Sequence, residues 1–305
     1  MCVDFTDLNK GPKDTYPLPR IDVMVDSIAR FEMFSMMDAY QGYHQIYMAK
    51  EDRDKTSFIT DKGIYCYNMM PFSLKNVGET YQRLVNRMFG DLLGKTMEVY
   101  VDDMLVKSKR SQDHLKHLEQ AFNIMRSYGM KLNPDKCTFG VGGKNFLGYM
   151  VSERGIEANP EKIQAIMSLR SLTTIKDVQK LTGKIASLNR FISRSADRSL
   201  PFFKVLRKSK NFEWSGECDK ALQELKEYLT KPPLLANPKE GETLFLYLPV
   251  SENAVSSVLV RDEGGSQNPI YYVSKMLEGT ESRYSEMEKL ALTLVVIARK
   301  LRPYF

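Results

Sequence analysis

Apolar residues follow two kinds of spacing along the chain, which separate expected helices from expected strands. Apolar positions three or four residues apart predict helices, here within residues 81–92, 114–128, 175–192, 214–229 and 285–302. Short apolar or alternating runs between turn residues predict strands, here within residues 34–37, 56–60, 64–69, 97–106, 138–141, 145–151, 244–248, 256–260 and 270–274. Strands and helices alternate irregularly, so the predicted fold class is α+β rather than a doubly wound parallel sheet.

The same pattern predicts three regions along the 305 residues. Residues 1–151 mix strands and helices, residues 152–235 are mainly helical, and residues 236–305 begin a second group of strands. No apolar run approaches the ~20 residues that cross a bilayer, and the N-terminus lacks the basic and apolar segments of a secretion signal. The four cysteines are widely spaced, as in proteins of reducing compartments. We therefore expect an intracellular protein that binds no membrane.

Positive charge is concentrated in one segment of the chain. The whole chain carries +6, whereas residues 161–210 hold twelve basic residues against three acidic ones, a net charge of +9. In the amphipathic helix predicted there, Lys176, Lys180 and Lys184 are spaced by four residues and share one side. Aligned ammonium groups suit a phosphate backbone. The segment thus predicts a nucleic-acid partner, with an ordinary solvated helix face as the alternative.

Three carboxylates are expected to meet at one edge of a sheet. Asp102 and Asp103 lie between two apolar runs, which predicts both at the tip of a tight hairpin, although Asp is common in such turns without any function. Asp38 directly follows the apolar run at residues 34–37. If these strands are antiparallel neighbours, the three carboxylates converge. Like charges so close together require cations.

The residue types at this edge indicate which cations and which chemistry to expect. Oxygen ligands without His or Cys favour Mg²⁺ over Zn²⁺, with Mn²⁺ as a substitute. Two such ions about 4 Å apart can activate an attacking oxygen and stabilise a leaving phosphate, which is the requirement of nucleotidyl transfer. His114 and His117 are one helical turn apart, but they lack a third ligand in the sequence nearby. We expect them to face solvent.

Five motifs resemble those of reverse transcriptases from gypsy-type (Metaviridae) LTR retrotransposons, in particular the plant Tat-like branch. They are MDAYQGYHQI at 37–46, MPFSLKN at 70–76, YVDD at 100–103, NPDKC at 133–137 and FLGY at 146–149. Ser73 stands where the second motif usually has glycine. The resemblance implies a fingers remnant and palm in residues 1–151, with an antiparallel sheet and packed helices. It further implies a basic helical thumb or connection in residues 152–235.

The resemblance also implies catalytic roles at four positions. Asp38, Asp102 and Asp103 would act as catalytic residues that hold two Mg²⁺ ions. Lys136 would protonate the leaving pyrophosphate as a general acid. Taken without the family, Lys136 is an ordinary turn lysine.

Further positions are implied to bind substrates. Tyr43 would lie under the sugar and exclude a 2′-hydroxyl, with a core aromatic in the run Tyr40–Tyr47 as the alternative. Phe72 and Lys75 would line the incoming nucleotide and the template. The residues implied to hold the primer end are Phe146, Leu147, Gly148 and Tyr149.

Residues 236–305 resemble part of the RNase H-like domain that follows such polymerases. Pro249 occupies the place of that domain's first catalytic Asp, and Glu288 is the nearest candidate for its second acid. Because the side chain of proline cannot coordinate a cation, we expect this region to lack RNA cleavage activity.

The function implied is RNA-directed DNA synthesis by a segment of a retrotransposon polyprotein. Its partners would be RNA or DNA primer–template, dNTPs, and other polyprotein parts such as protease and integrase, with a dimer as an option. The location would be a cytoplasmic particle or the nucleus. One alternative is a catalytically inactive nucleic-acid-binding remnant. Another is an RNA-templated RNA polymerase, which would lack the aromatic gate at Tyr43.

Overall fold

The computed structural model describes residues 3–170, 172–207, 212–239 and 241–304. Contacts divide the chain into two compact units, Met1–Leu147 and Gly148–Phe305. The fold class is α+β, as predicted. In the described ranges, no helix is long and apolar enough to cross a membrane. The predicted boundaries after residues 151 and 235 stay predictions.

The first unit contains three helices and seven strands within its described part. The helices are α1 (Ile21–Ile28), α2 (Val77–Phe89) and α3 (His114–Ser127), and the strands are β1 (Met33–Asp38), β2 (Phe58–Thr60), β3 (Gly63–Tyr65), β4 (Met97–Tyr100), β5 (Asp103–Ser108), β6 (Thr138–Val141) and β7 (Gly143–Phe146). Strands β4, β5, β1 and β6 form one antiparallel sheet in that order. The strands predicted within residues 56–60 and 64–69 pair as the hairpin β2–β3, whose turn is Asp61-Lys62.

Helices α2 and α3 pack on this sheet because their apolar residues recur at helical spacing. Val85 and Phe89 of α2 are fully buried against Met97 and Met104 of the sheet, in the same core cluster as Leu118 of α3. Burying a large apolar side chain contributes about 1.5–3 kcal/mol relative to leaving it exposed. This core fixes the strands whose ends carry the acidic residues.

The β4–β5 hairpin is confirmed, but its turn is one residue away from the predicted position. Tyr100 pairs with Asp103, so the two-residue turn is Val101-Asp102 and Asp103 is the first residue of β5. Val101 has φ +52°, a conformation that is unusual for a β-branched residue. The expectation of an Asp-Asp turn was therefore wrong in register. A tight turn normally places Asn, Asp or Gly where this chain has Val101.

His114 does not face solvent, contrary to our expectation. Its ring is 4% exposed and lies within hydrogen-bond distance of Ser35 Oγ (Nε2, 2.7 Å) and Ser108 Oγ (Nδ1, 2.7 Å). Ser108 Oγ also lies 2.7 Å from His117 Nδ1. Helix α3 thus turns His114 toward β1 and β5, where it joins the two strands.

The second unit contains six helices and five strands within its described part. The helices are α4 (Pro160–Met167), α5 (Ile175–Ala186), α6 (Ser195–Arg198), α7 (Leu200–Arg207), α8 (Gly216–Thr230) and α9 (Glu286–Lys300), and the strands are β8 (Tyr149–Ser152), β9 (Gly155–Ala158), β10 (Leu244–Tyr247), β11 (Ala254–Glu263) and β12 (Ser266–Met276). Strands β10, β11 and β12 form an antiparallel sheet whose Leu259 and Ile270 pack with Ile297 of α9.

The helix predicted over 175–192 is shorter than expected. Helix α5 ends at Ala186, and a 3₁₀ turn spans Asn189–Phe191. The Ser187 hydroxyl donates to the Lys184 carbonyl (2.7 Å), a local bond that competes with helix continuation. The basic residues after position 186 are therefore not on one continuous helix with α5, and Lys208 and Lys210 lie outside the described residues.

Candidate active site

The antiparallel pairing of β1 with β5 brings the predicted acidic residues together. Asp38, the last residue of β1, is directly opposite Asp103, the first residue of β5, and Asp102 is in the adjoining turn. The register of this strand pair therefore brings Asp38 and Asp103 together, and the β4–β5 turn places Asp102 next to Asp103 in the chain. The Asp38 charge also acts on the other two carboxylates, since it contributes to raising the pKa of Asp102 and of Asp103.

Burial and like charge both act on this acidic cluster. Burial raises the pKa of Asp102, and the Asp38 and Asp103 charges raise it further, while the Tyr43 hydroxyl and Lys136 lower it. Burial and the Asp38 charge raise the pKa of Asp103. In addition, Asp102 Oδ1 is buried without a hydrogen-bond partner in the described structure. An added cation would offset the repulsion and the desolvation together.

The three acidic residues suit divalent cations, because their side chains are carboxylates and their backbone positions are adjacent at one edge of the sheet. No group of three Asp, Glu, His or Cys side chains among the described residues forms a ready metal-binding cluster. Two of the carboxylates interact with other side chains, since Asp38 Oδ2 lies 3.6 Å from Lys136 Nζ and the Tyr43 hydroxyl lowers the pKa of Asp102. Cation binding would therefore draw Asp102 and Asp38 away from these partners.

Lys136 is at the edge of the same cluster. The backbone N–H of Asn133 donates to the carbonyl of Asp38 (2.9 Å), which holds the short 3₁₀ turn Pro134–Lys136 beside β1. The Lys136 side chain is 64% exposed and lies next to Asp38. This placement brings a mobile proton donor to the acidic edge, and the general-acid role stays a prediction.

Tyr43 lies on the acidic edge in a half-buried position. Its ring packs edge-on against Phe72 (centroids 5.5 Å apart) and against Tyr81 (5.6 Å). Burial raises the pKa of Tyr43 to about 12, with a further contribution from the Asp102 charge. Phe72 is 51% exposed and also packs on the His44 ring. These aromatic side chains line one side of the carboxylates.

Tyr81 and Gly42 are parts of the site that sequence reasoning missed. Tyr81, on α2, is completely buried, and its hydroxyl has no hydrogen-bond partner within the described chain. A Cβ on Gly42 would lie 3.0 Å from both Asp102 Oδ1 and Tyr81 Cε2. The absence of a side chain at Gly42 therefore allows Tyr81 of α2 and Asp102 of the β4–β5 turn to approach. The helical spacing of Tyr81 with Val85 predicts a core position and does not indicate its closeness to Asp102.

Lys75 is placed near the amino-terminal segment instead of the acidic edge. Its Nζ donates to the Gly11 carbonyl (2.9 Å) and its backbone N–H to Asn9 Oδ1 (2.7 Å). Asn9 Nδ2 donates in turn to the Ser73 carbonyl (2.7 Å). Ser73 has φ +73°, the left-handed region that glycine adopts most easily. These bonds fix the loop that carries Phe72 and Lys75.

The predicted primer-holding residues form the connection from β7 to β8. Phe146 is buried, whereas Leu147 (φ +49°) and Gly148 (φ +84°) form a left-handed turn. Tyr149 is half-buried, with Lys162 Nζ 5.5 Å from the centre of its ring. A primer would thus meet the turn backbone instead of the Phe146 ring, and the role of this segment stays a prediction.

The predicted stripe of lysines on α5 is only partly present. Lys176 and Lys180 are exposed, and Lys180 Nζ lies 3.8 Å from Asp177. Lys184 instead turns toward α4, where its Nζ donates to the Ala165 carbonyl (2.8 Å). The expectation of three aligned free ammonium groups was therefore wrong for Lys184, because this carbonyl near the end of α4 attracts its positive charge.

Pro249 and Glu288, in the second unit, each have a local structural role. The Pro249 carbonyl accepts from the Ser256 N–H (3.0 Å). Glu288 Oε2 accepts from both the N–H and the hydroxyl of Ser285 (2.8 Å each), which completes the capping box of α9. The Ser285 bonds lower the pKa of Glu288. Its carboxylate is thus occupied as a helix cap.

Two family models match the chain. Residues 1–216 match reverse transcriptase (RNA-dependent DNA polymerase), and residues 214–305 match the RNase H-like domain found in reverse transcriptase. The chain is 32% identical over 307 residues to the retrovirus-related Pol polyprotein from transposon 412 of Drosophila melanogaster. It is 26% identical over 306 residues to the transposon Tf2-3 polyprotein of Schizosaccharomyces pombe. Both matches cover all of this chain but only 25% and 23% of the relatives, so it spans about a quarter of their length.

Solved structures share this fold. The foamy viral protease-reverse transcriptase in complex with RNA/DNA hybrid matches with a TM-score of 0.86 at 22% identity, over 97% of this chain and 40% of that one. The same viral protein in complex with dsDNA matches with a TM-score of 0.85 at 21% identity, over 99% of this chain and 64% of that one. The likeness establishes a reverse transcriptase fold followed by an RNase H-like domain.

Proposed function

Because this chain belongs to the reverse transcriptase (RNA-dependent DNA polymerase) family, we propose that it is the polymerase segment of a retrotransposon polyprotein. Its reaction is the addition of deoxynucleotides to a primer 3′-hydroxyl on an RNA or DNA template. The observation that carries the proposal is the pairing of Asp38 with Asp103 beside the Asp102 turn. Two carboxylates on a strand pair with a third in the adjoining turn suit metal-assisted phosphoryl transfer.

Each residue of the site has a separate task in this reaction. Asp38, Asp102 and Asp103 would hold two Mg²⁺ ions, or Mn²⁺ in their place. When bound, these ions supply activation of the primer hydroxyl and neutralisation of charge on the triphosphate. Lys136, next to Asp38, would deliver a proton to the departing pyrophosphate. Tyr43 would meet the sugar of the incoming dNTP at C2′ and exclude a ribonucleotide.

The relatives support a more detailed assignment. They are transposon polyproteins, and the motifs favour the gypsy type and its plant Tat-like branch. Primer–template duplex is the proposed partner, since the foamy viral protein with the same fold is in complex with RNA/DNA hybrid in one structure and dsDNA in another. Protease and integrase regions of the polyprotein, or a second copy, are further partners. The proposed location is a cytoplasmic particle or the nucleus.

We propose that the RNase H-like region adopts the RNase H-like fold but does not cleave RNA. Pro249 offers no side-chain ligand at the expected first acid, and Glu288 is engaged with Ser285. Cleavage by this fold needs a carboxylate cluster that holds metal ions against the scissile phosphate. The sheet and α9 nevertheless share a continuous apolar core. A structural role is therefore the better assignment.

Primer extension on a primed RNA template with Mg²⁺ tests the polymerase proposal. Asp102→Asn should reduce extension about a hundredfold or more, because each missing metal ligand removes several kcal/mol of transition-state stabilisation. Asp61→Asn, in the exposed turn between β2 and β3, is the matched control and should extend normally. Undiminished extension by Asp102→Asn would show that the acidic edge is not the active site.

A further inference from the structure

We propose that Tyr81 is a positioning residue of this site: its buried hydroxyl takes over the Asp102 carboxylate when a cation draws Asp102 away from Tyr43 or when Tyr43 turns toward a substrate. The inference rests on the proposed polymerase function and adds a residue to it. Tyr81 belongs to α2, whereas Tyr43 belongs to the 3₁₀ turn after β1. Two phenols from different elements thus flank one carboxylate of the β4–β5 turn.

Tyr81 and Asp102 each have an unused hydrogen-bonding atom beside the same glycine. Within the described structure, the Tyr81 hydroxyl and Asp102 Oδ1 are both buried and both lack a partner. Gly42 separates them, since a Cβ there would be 3.0 Å from Asp102 Oδ1 and from Tyr81 Cε2. An unused donor and an unused acceptor thus belong to two residues that approach the same glycine.

Packing alone does not account for the Tyr81 hydroxyl. Phenylalanine would fill the ring space between α2 and the sheet equally well. An unpaired buried hydroxyl costs about 1–3 kcal/mol, and such groups are rare enough that each calls for an explanation. The charge of Asp102 already acts on Tyr81 and, with burial, raises its pKa. The hydroxyl is therefore placed to donate to Asp102.

Tyr43 explains why a second donor is useful. In this structure the Tyr43 hydroxyl lowers the pKa of Asp102, and the Tyr43 ring lies edge-on to Tyr81 with the ring centroids 5.6 Å apart. A Tyr43 that contacts a nucleotide sugar must give up its interaction with Asp102, which would leave a half-buried carboxylate without that donor. Tyr81 can replace it and keep Asp102 oriented toward a cation. Groups that orient a metal ligand typically account for 10–100-fold in metal affinity or activity.

The test is thermal unfolding of the full chain in a Mg²⁺ titration, with Tyr81→Phe compared to the native protein. The variant removes only the unpaired hydroxyl, so the metal-free Tm should stay the same or rise. The Mg²⁺ concentration that gives half of the Tm increase should rise about tenfold. Tyr16→Phe is the matched control, since the Tyr16 hydroxyl accepts from Asn86 on another part of α2 (2.7 Å). It should leave the Mg²⁺ response unchanged.

A double-mutant cycle with Tyr43→Phe tests the exchange itself. With both phenol hydroxyls removed, Asp102 has neither donor, so the loss of Mg²⁺ affinity should exceed the sum of the two single losses. Additive losses would overturn the exchange. Coincident Mg²⁺ titrations of the native and Tyr81→Phe proteins would overturn the positioning role of Tyr81. The polymerase proposal would still stand if Asp102→Asn abolished the increase of Tm with Mg²⁺. A native protein with no Mg²⁺ response would count against both.

Discussion

Asp38 and Asp103 face each other across the antiparallel pairing of β1 and β5. Neighbouring strands thus present two carboxylates at the same level of the sheet, and the turn at Val101-Asp102 adds the third. This relationship follows from the register of the β1–β5 pair. It places two of the proposed metal ligands on strands of the sheet, which suits a reaction that depends on exact positions.

Tyr43→Ala should relax the choice between deoxy- and ribonucleotides. If the Tyr43 ring meets the sugar, its removal opens space for a 2′-hydroxyl. Competitive primer extension with dNTP and rNTP should then show ribonucleotide incorporation at least tenfold above native. Tyr43→Phe, which keeps the ring, should retain the native preference. An unchanged preference in Tyr43→Ala would reduce Tyr43 to a packing residue.

Lys176→Gln and Lys180→Gln should weaken binding of primer–template duplex independently of its sequence. Both ammonium groups are exposed, and each phosphate contact that is lost should lower the slope of log K against log salt by about 0.9. Binding titrations at several salt concentrations measure this slope. Lys184→Gln serves as the comparison, because Lys184 bonds the Ala165 carbonyl. Slopes equal to native in the first two variants would leave α5 as a merely solvated helix.

The His114 network should make the protein less stable in mild acid. Gly140 N–H donates to Ser35 Oγ (3.1 Å), so the Ser35 hydroxyl can donate its own proton to Nε2 of a neutral His114. His114 Nδ1 can then donate to Ser108 Oγ, and the Ser108 hydroxyl can donate to His117. Burial and the nearby His117 lower the pKa of His114. A lowered folded-state pKa contributes stability above the unfolded value of about 6.5, and this contribution is lost as pH falls through the folded value.

Thermal unfolding between pH 8 and pH 5 measures this effect. The Tm should decline below about pH 6.5, and His117→Gln should reduce the decline because it removes a like charge from His114. A Tm that falls equally in His117→Gln would assign the decline to other groups.

Ser73→Gly should stabilise the protein. Ser73 is held at φ +73°, and a left-handed conformation costs a residue with a side chain roughly 1 kcal/mol or more relative to glycine. Urea unfolding should therefore show about 1 kcal/mol of added stability. Ser57→Gly, at φ −65°, should instead lose stability. Equal losses in both variants would show that the Ser73 backbone carries no strain.

The sequence predicts the parts of this site that depend on local pattern. The apolar runs around Asp38 and Asp102 identify β1, β4 and β5, whereas the antiparallel pairing of β1 with β5 is a condition that only the structure supplies. The turn register was wrong because Val101 adopts a left-handed conformation that no propensity favours. Strand pairing with Tyr100 and Asp103 imposes it.

Tertiary contacts decide the residues that sequence reasoning missed or misplaced. Tyr81 has the spacing of an ordinary core residue, and only the approach of Gly42 and Asp102 gives its hydroxyl a role. His114 is polar and belongs to an amphipathic helix, yet it is buried because hydrogen bonds with Ser35 and Ser108 offset the cost of removing its ring from water. Lys184 shares one side of α5 with Lys180, but the carbonyl it bonds belongs to α4.

The central claim is that Asp38, Asp102 and Asp103 together hold two divalent cations, and a count of bound Mn²⁺ tests it most directly. Electron paramagnetic resonance with Mn²⁺, in the presence of a chain-terminated primer–template and the next dNTP, gives the number of ions held per chain. We predict two ions for the native protein and for Asp61→Asn, and at most one for Asp102→Asn or Asp103→Asn. Two tightly bound ions in all four proteins would contradict the account.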